Sequence, residues 1–82
     1  MTRQEMTEKI NTIVSQKFKV PVQRLTPESS LFKDFGADSV EMVELMEELE
    51  QTFAISPNPD DEERVRTVGD VFRFIESQVK LN

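Results

Sequence analysis

The residue types that could do chemistry gather in one segment, Asp34-Phe35-Gly36-Ala37-Asp38-Ser39-Val40-Glu41. It sets a hydroxyl beside a carboxylate, just after a glycine and just before a run of acids. The chain has no His and no Cys, so no Ser-His, Cys-His or His-metal arrangement can be built. Nothing in the sequence pairs a lysine or carboxylate base with Ser39, so Ser39 is not expected to act as a nucleophilic catalyst. Glu41, Glu44, Glu47 and Glu48 follow no Ca²⁺-loop spacing, and no metal site is expected. Taken alone, a serine in the first turn of a helix is ordinary and usually caps or faces water. The setting of Ser39 says more. It falls at the positive end of a helix, where free amides and the dipole favour an attached phosphate. Gly36 can take positive φ at little cost, which allows the sharp turn that exposes the serine. Ser39 is therefore expected to be a place of attachment.

Four helices must position that segment. The first is predicted from about Arg3 to Lys17. Thr2 and Glu5 form a capping box at its start, and Met6, Ile10, Ile13 and Val14 make one apolar stripe. Pro21 restricts Val20 and is expected to end it. A long connection follows, from Phe18 to Asp38, and loops of this length are often functional. Val20, Val22, Leu25, Leu31, Phe32 and Phe35 are expected to pin it to the core, with a short helical turn near Pro27-Glu28. The second helix is predicted from Ser39 to Phe53, with Asp38 as N-cap and Glu41 completing the box. Its buried stripe is Met42, Leu45, Met46, Leu49 and Phe53. At about 100° per residue, Val40 and Val43 fall on an outward flank edged by acids. Asn58 and Pro59 suit the cap and first position of a third helix. That helix can hold only one or two turns and has only Val65 to bury, so it should be the least stable element. The last helix starts after Thr67, with Asp70 as box partner. Val68, Val71, Phe72, Ile75 and Val79 form its stripe, and Phe74 lies off it, covering an edge. The expected fold is all-α, a small four-helix bundle of three longer helices and one short third helix, with a long first loop.

Composition narrows the partners. The 82 residues carry 10 Lys+Arg and 16 Asp+Glu, a net charge of −6. An acidic domain repels nucleic acid and anionic membrane surfaces and suits a basic protein partner. No apolar run is long enough for a signal peptide or a membrane span, so a cytoplasmic location is the default expectation; a monomer is also expected. The chain should form one domain over residues 1–82, with roughly fifteen to eighteen apolar side chains in its core and a modest stability.

Phe35-Gly36-Ala37-Asp38-Ser39-Val40 resembles the Leu/Phe-Gly-Ala-Asp-Ser-Leu/Val signature of acyl carrier proteins. The resemblance extends along the chain. Ser30-Leu31-Phe32 precedes the signature as in the family. Val43-Glu44-Leu45, Leu49-Glu50 and Phe53 echo its second helix, and Thr67-Val68-Gly69-Asp70-Val71 with Ile75 is similar to its last. The resemblance implies that Ser39 carries 4′-phosphopantetheine through a phosphodiester, added from coenzyme A by a phosphopantetheinyl transferase. The arm's thiol would hold acyl groups as thioesters, so a chain without Cys borrows its thiol. Asp38 matches the family aspartate that helps the transferase position a metal ion. Val40, Glu41, Val43, Glu44, Glu47 and Glu48 match the face that docks on basic patches of acyl-processing enzymes of ketosynthase, reductase or acyltransferase type. An acyl pocket between helices two and three is implied, lined by Leu31, Phe32, Met42, Leu45, Met46, Leu49 and Val65.

The chain departs from the family at four places. Val40 replaces the usual Leu, Met42 a small residue and Glu47 an apolar one, and Ser56-Pro57-Asn58-Pro59-Asp60 replaces the usual Ile-Pro-Asp-Glu lead into helix three. These departures leave open a specialised carrier. The expected role is a non-enzymatic carrier serving fatty-acid or related polyketide synthesis. Two rivals are a peptidyl carrier, which usually reads Gly-Gly-His/Asp-Ser, and an unmodified helical adaptor.

Overall fold

Each long helix opens on a reciprocal cap in the computed structural model, which describes residues 1–82. Helix α1 spans Arg3–Phe18, with the Glu5 N–H donating to Thr2 Oγ1 at 3.1 Å and the Thr2 N–H to the Glu5 carboxylate at 3.1 Å. Helix α2 spans Ser39–Phe53, with the Glu41 N–H donating to Asp38 Oδ1 at 2.7 Å. Helix α3 is Pro59–Glu62, capped by Asn58 and started by its proline. Helix α4 spans Val68–Gln78, with the Asp70 N–H donating to Thr67 Oγ1 at 3.1 Å. The fold is the all-α bundle expected, three longer helices and one short one, without strands. No helix is long and apolar enough to cross a membrane.

Sixteen apolar residues form one core cluster. Met6, Ile10, Ile13 and Val14 of α1 and Met42, Leu45, Met46, Leu49 and Phe53 of α2 are the buried stripes of two helices in contact, as the 3.6-residue period requires. Helix α1 runs one residue past its predicted end. It is stopped by Lys19 in the left-handed conformation (φ 56°), with the Val20 N–H returned to the Ser15 carbonyl at 3.1 Å, before Pro21 is reached.

The long loop differs from expectation in detail. Its helical turn is a 3₁₀ turn at Val22–Arg24. Pro27 and Glu28 instead sit inside a turn closed by the Ser29 N–H on the Thr26 carbonyl at 3.0 Å. Leu31 is fully buried, Leu25 packs on the core, and Phe35 stacks on Phe18 with ring centroids 5.9 Å apart. Val22 and Phe32 are exposed and do not anchor the loop.

A backbone tie that the apolar pattern did not announce joins this loop to the start of α4. The Leu31 N–H donates to the Arg66 carbonyl at 2.9 Å and the Val68 N–H to the Ser29 carbonyl at 3.0 Å, an isolated antiparallel bridge at Ser30 and Thr67. One step on, the Gly69 N–H reaches the Pro27 carbonyl at 2.9 Å, so close that a Cβ on residue 69 would meet that same oxygen at 2.9 Å.

The register of α4 also needs correction. Phe74 is buried with Val68, Val71 and Ile75, while Phe72 and Val79 are only half-buried at the margin. Helix α4 has two neighbours to cover, α1 on one side and the segment around Val65 on the other. Its buried arc is therefore displaced toward Phe74. Val65 is buried as expected, but it lies beyond the end of α3, which itself buries nothing.

Candidate functional site

The turn before α2 is built to expose one hydroxyl. Gly36 holds φ 67° with open space around its Cα, so glycine is there for its backbone conformation. Ala37 beside it is buried, and its N–H donates to the Leu31 carbonyl at 2.9 Å. That pin leaves Asp38 and Ser39 projecting into solvent. Asp38 is committed on both sides, its carboxylate to the Glu41 N–H and its own N–H to Glu41 Oε1 at 3.2 Å.

Ser39 is the first residue of α2 and is exposed, with its hydroxyl free of hydrogen bonds to the chain. The Ser39 and Val40 N–H groups have no carbonyl acceptor, as the first amides of a helix do not. An attached phosphodiester fits such a post. Its negative charge would lie at the positive end of a 15-residue helix, next to donors that need partners.

Beyond the serine, α2 presents an apolar ridge flanked by acids. Val40 is 66% exposed and Val43 57%. Glu44, Glu47 and Glu48 are exposed beside them, and Glu41 is half-buried in the cap. Glu44 is held by Lys17 of α1 at 3.0 Å. Glu41, Glu47 and Glu48 take part in no ion pair. The six expected face residues thus share one side of α2 that begins at Ser39. No cluster of His, Cys, Asp or Glu has metal-binding geometry.

Between α2 and the α3 segment lies a groove of about 490 Å³. Phe32, Met42, Met46 and Val65, four of the seven residues read from the sequence as a pocket between helices two and three, line it. Leu31, Leu45 and Leu49 do not. They are fully buried beneath it, because they point to the bundle centre and not to the α2–α3 seam. Val43 and Glu47, read from the sequence as partner-face residues, also line it, and the sequence reading missed Glu50, Pro59, Glu62 and Glu63, which complete the lining. Only the placement of α3 reveals them. Burial pushes the Glu62 carboxyl above its ordinary value, and the neighbouring Glu50 carboxyl raises it further through its charge and a shared hydrogen bond. Both side walls of the groove therefore end in carboxyls.

An exposed serine on a positive helix end, followed by an acidic helix and a partly apolar groove, defines a small helical carrier domain. Residues 8–75 match the family described as "Phosphopantetheine attachment site". The acyl carrier protein of Thermotoga maritima is 35% identical over 78 residues, which cover 95% of this chain and 96% of that one. The fold is similar to that of an acyl carrier protein from Enterococcus faecalis (TM-score 0.83, 32% identity, 96% of this chain and 100% of that chain). It is also similar to a proposed acyl carrier protein from Mycobacterium tuberculosis (TM-score 0.80, 30% identity, 88% and 96%). This chain belongs to the acyl carrier protein family, whose members are carriers and not catalysts, and phosphopantetheine is the prosthetic group of its attachment site. Neither a peptidyl carrier nor an unmodified adaptor is favoured by these likenesses.

Proposed function

We propose that the whole of residues 1–82 acts as one carrier domain, with 4′-phosphopantetheine on Ser39 Oγ and acyl groups held as thioesters on its terminal thiol. The observation that carries the reading is the free, exposed hydroxyl of Ser39 at the first position of α2, in a chain that matches the attachment-site family. Attachment forms an Oγ–phosphorus bond and breaks the pyrophosphate of coenzyme A. Adenosine 3′,5′-bisphosphate leaves, and the serine proton passes to a base on the transferase, since the neighbouring Asp38 carboxylate is engaged in capping α2. Asp38 is the residue we assign to the metal that the transferase brings, although its carboxylate also caps α2.

The partners proposed are that transferase and acyl-processing enzymes with basic patches, in fatty-acid or related synthesis. They would meet Val40, Glu41, Val43, Glu44, Glu47 and Glu48. A ridge of two exposed valines among acids supports this, because charge steers the encounter while the small apolar area allows quick release. The groove lined by Phe32, Met42, Met46 and Val65 is proposed to shelter the acyl chain. The chain itself would catalyse nothing and work as a cytoplasmic monomer.

Co-expression with a broad-specificity phosphopantetheinyl transferase should add the mass of one arm to the chain, and Ser39→Ala should abolish the gain. An unmodified parent, or a Ser39→Ala chain that still gains the arm, would refute the assignment.

A further inference from the structure

One surface ion pair intrudes on the face assigned to partners. Lys17, in the last turn of α1, donates from Nζ to Glu44 Oε1 at 3.0 Å. The Lys17 side chain is only 19% exposed, whereas that of Glu44 is 53% exposed. The lysine stem therefore lies in the α1–α2 seam and only its head reaches outward. A long side chain already held by packing gives up less rotamer freedom on pairing than two free surface chains do. The other acids of α2 differ. Glu41 is engaged by the Asp38 N–H at 3.2 Å, and Glu47 and Glu48 have no cation within 4.0 Å.

We infer that Lys17 masks Glu44 and thereby sets which acids of α2 a basic partner reads, directing it to Glu47 and Glu48. Lys17 acts through Glu44 and is a positioning residue of the partner face, so the inference rests on the docking reading above. Around α2, at about 100° per residue, Glu47 falls between Val40 and Val43, while Glu44 lies toward α1. Neutralising Glu44 leaves two uncompensated charges, Glu47 within the apolar ridge and Glu48 one step beyond Glu44 around the helix. A partner's arginine aimed at Glu44 must displace an ammonium already there. For a half-exposed pair that competition weakens association by about two- to fivefold.

The test is the kcat/KM of a phosphopantetheinyl transferase acting on the full chain with coenzyme A. Lys17→Met should raise it about two- to fivefold at low salt, and the gain should fade at high salt as charges are screened. The gain should vanish in a chain that already carries Glu44→Gln, and Lys17→Arg should behave as the parent. A damaged fold would lower the rate, so a rise cannot come from lost structure. No rise with Lys17→Met, or a rise of the same size in the parent and in the Glu44→Gln background, would overturn the masking. Glu47→Lys with Glu48→Lys should slow the reaction. An unchanged rate in that variant would remove the docking face, and the inference with it, while leaving attachment at Ser39 intact.

Discussion

Helix α2 meets α1 along one flank and the α3 segment along the other, and the two seams are made of opposite materials. Toward α1 the contact is apolar and closed. Ile10 and Val14 are fully buried there, and a cation from α1 meets an acid of α2 at the rim. Toward α3 the contact is a groove of about 490 Å³. The helix across it has four residues and buries none of them. Its rim carries like charges, Glu47 and Glu50 on one side and Glu62 and Glu63 on the other. A cation from α1 meets an acid at the rim of one seam, and like-charged carboxyls rim the other. The helix that presents Ser39 is thus packed firmly on one side and borders open space on the side proposed above to shelter the acyl chain.

The largest effect expected from breaking this contrast is on the closed seam. Ile10→Ala removes a fully buried side chain from a wall that cannot collapse. It should cost about 2–5 kcal/mol in urea unfolding, enough to leave so small a domain barely folded. On the open side, Met46→Ala should cost less, at the low end of about 2–5 kcal/mol, because Met46 borders the groove and its neighbours can shift into free space. Equal losses at the two positions would mean that the seams do not differ in stiffness.

Much of this was legible because local chemistry and the global fold agree. Thr2 with Glu5, Asp38 with Glu41 and Thr67 with Asp70 are reciprocal pairs three residues apart, so the helix starts could be read without tertiary knowledge. Ser39, Val40 and Val43 were legible as an exposed group because α2 has a full apolar stripe on its other side. What could not be read depends on how helices lie against one another. Phe72 continues the α4 stripe by spacing, yet Phe74 takes the buried place because the segment around Val65 covers that side. Leu45 and Leu49 share a stripe with Met42 and Met46, and only the position of α3 separates those under the groove from those that line it. Lys17 stands in the last turn of α1, where a cation is ordinary, and its reach to Glu44 spans 27 residues of sequence.

The smallest and most specific effect should come from the carboxyls of the open seam. Glu62 is raised above its ordinary value of 4.5 by burial and by Glu50. A carboxyl raised in the folded state binds its proton more tightly folded than unfolded. Its contribution to stability is thus present at low pH and is lost as pH rises from about 4.5 through the raised value. Asp70 works the other way. Burial pushes it up, but hydrogen bonds from Arg73 and from the Arg66 and Thr67 backbone outweigh that and hold it below its ordinary value, so its contribution is lost as pH falls. Glu62→Gln leaves Asp70 untouched and removes only the first trend. The Glu62→Gln chain should therefore melt higher than the parent at neutral pH, and the two should converge as pH drops toward 4.5. Thermal unfolding of both across that range decides the matter. Curves that stay parallel from acid to neutral pH would mean that Glu50 and Glu62 do not strain the groove, and that only the shortness of α3 keeps it open.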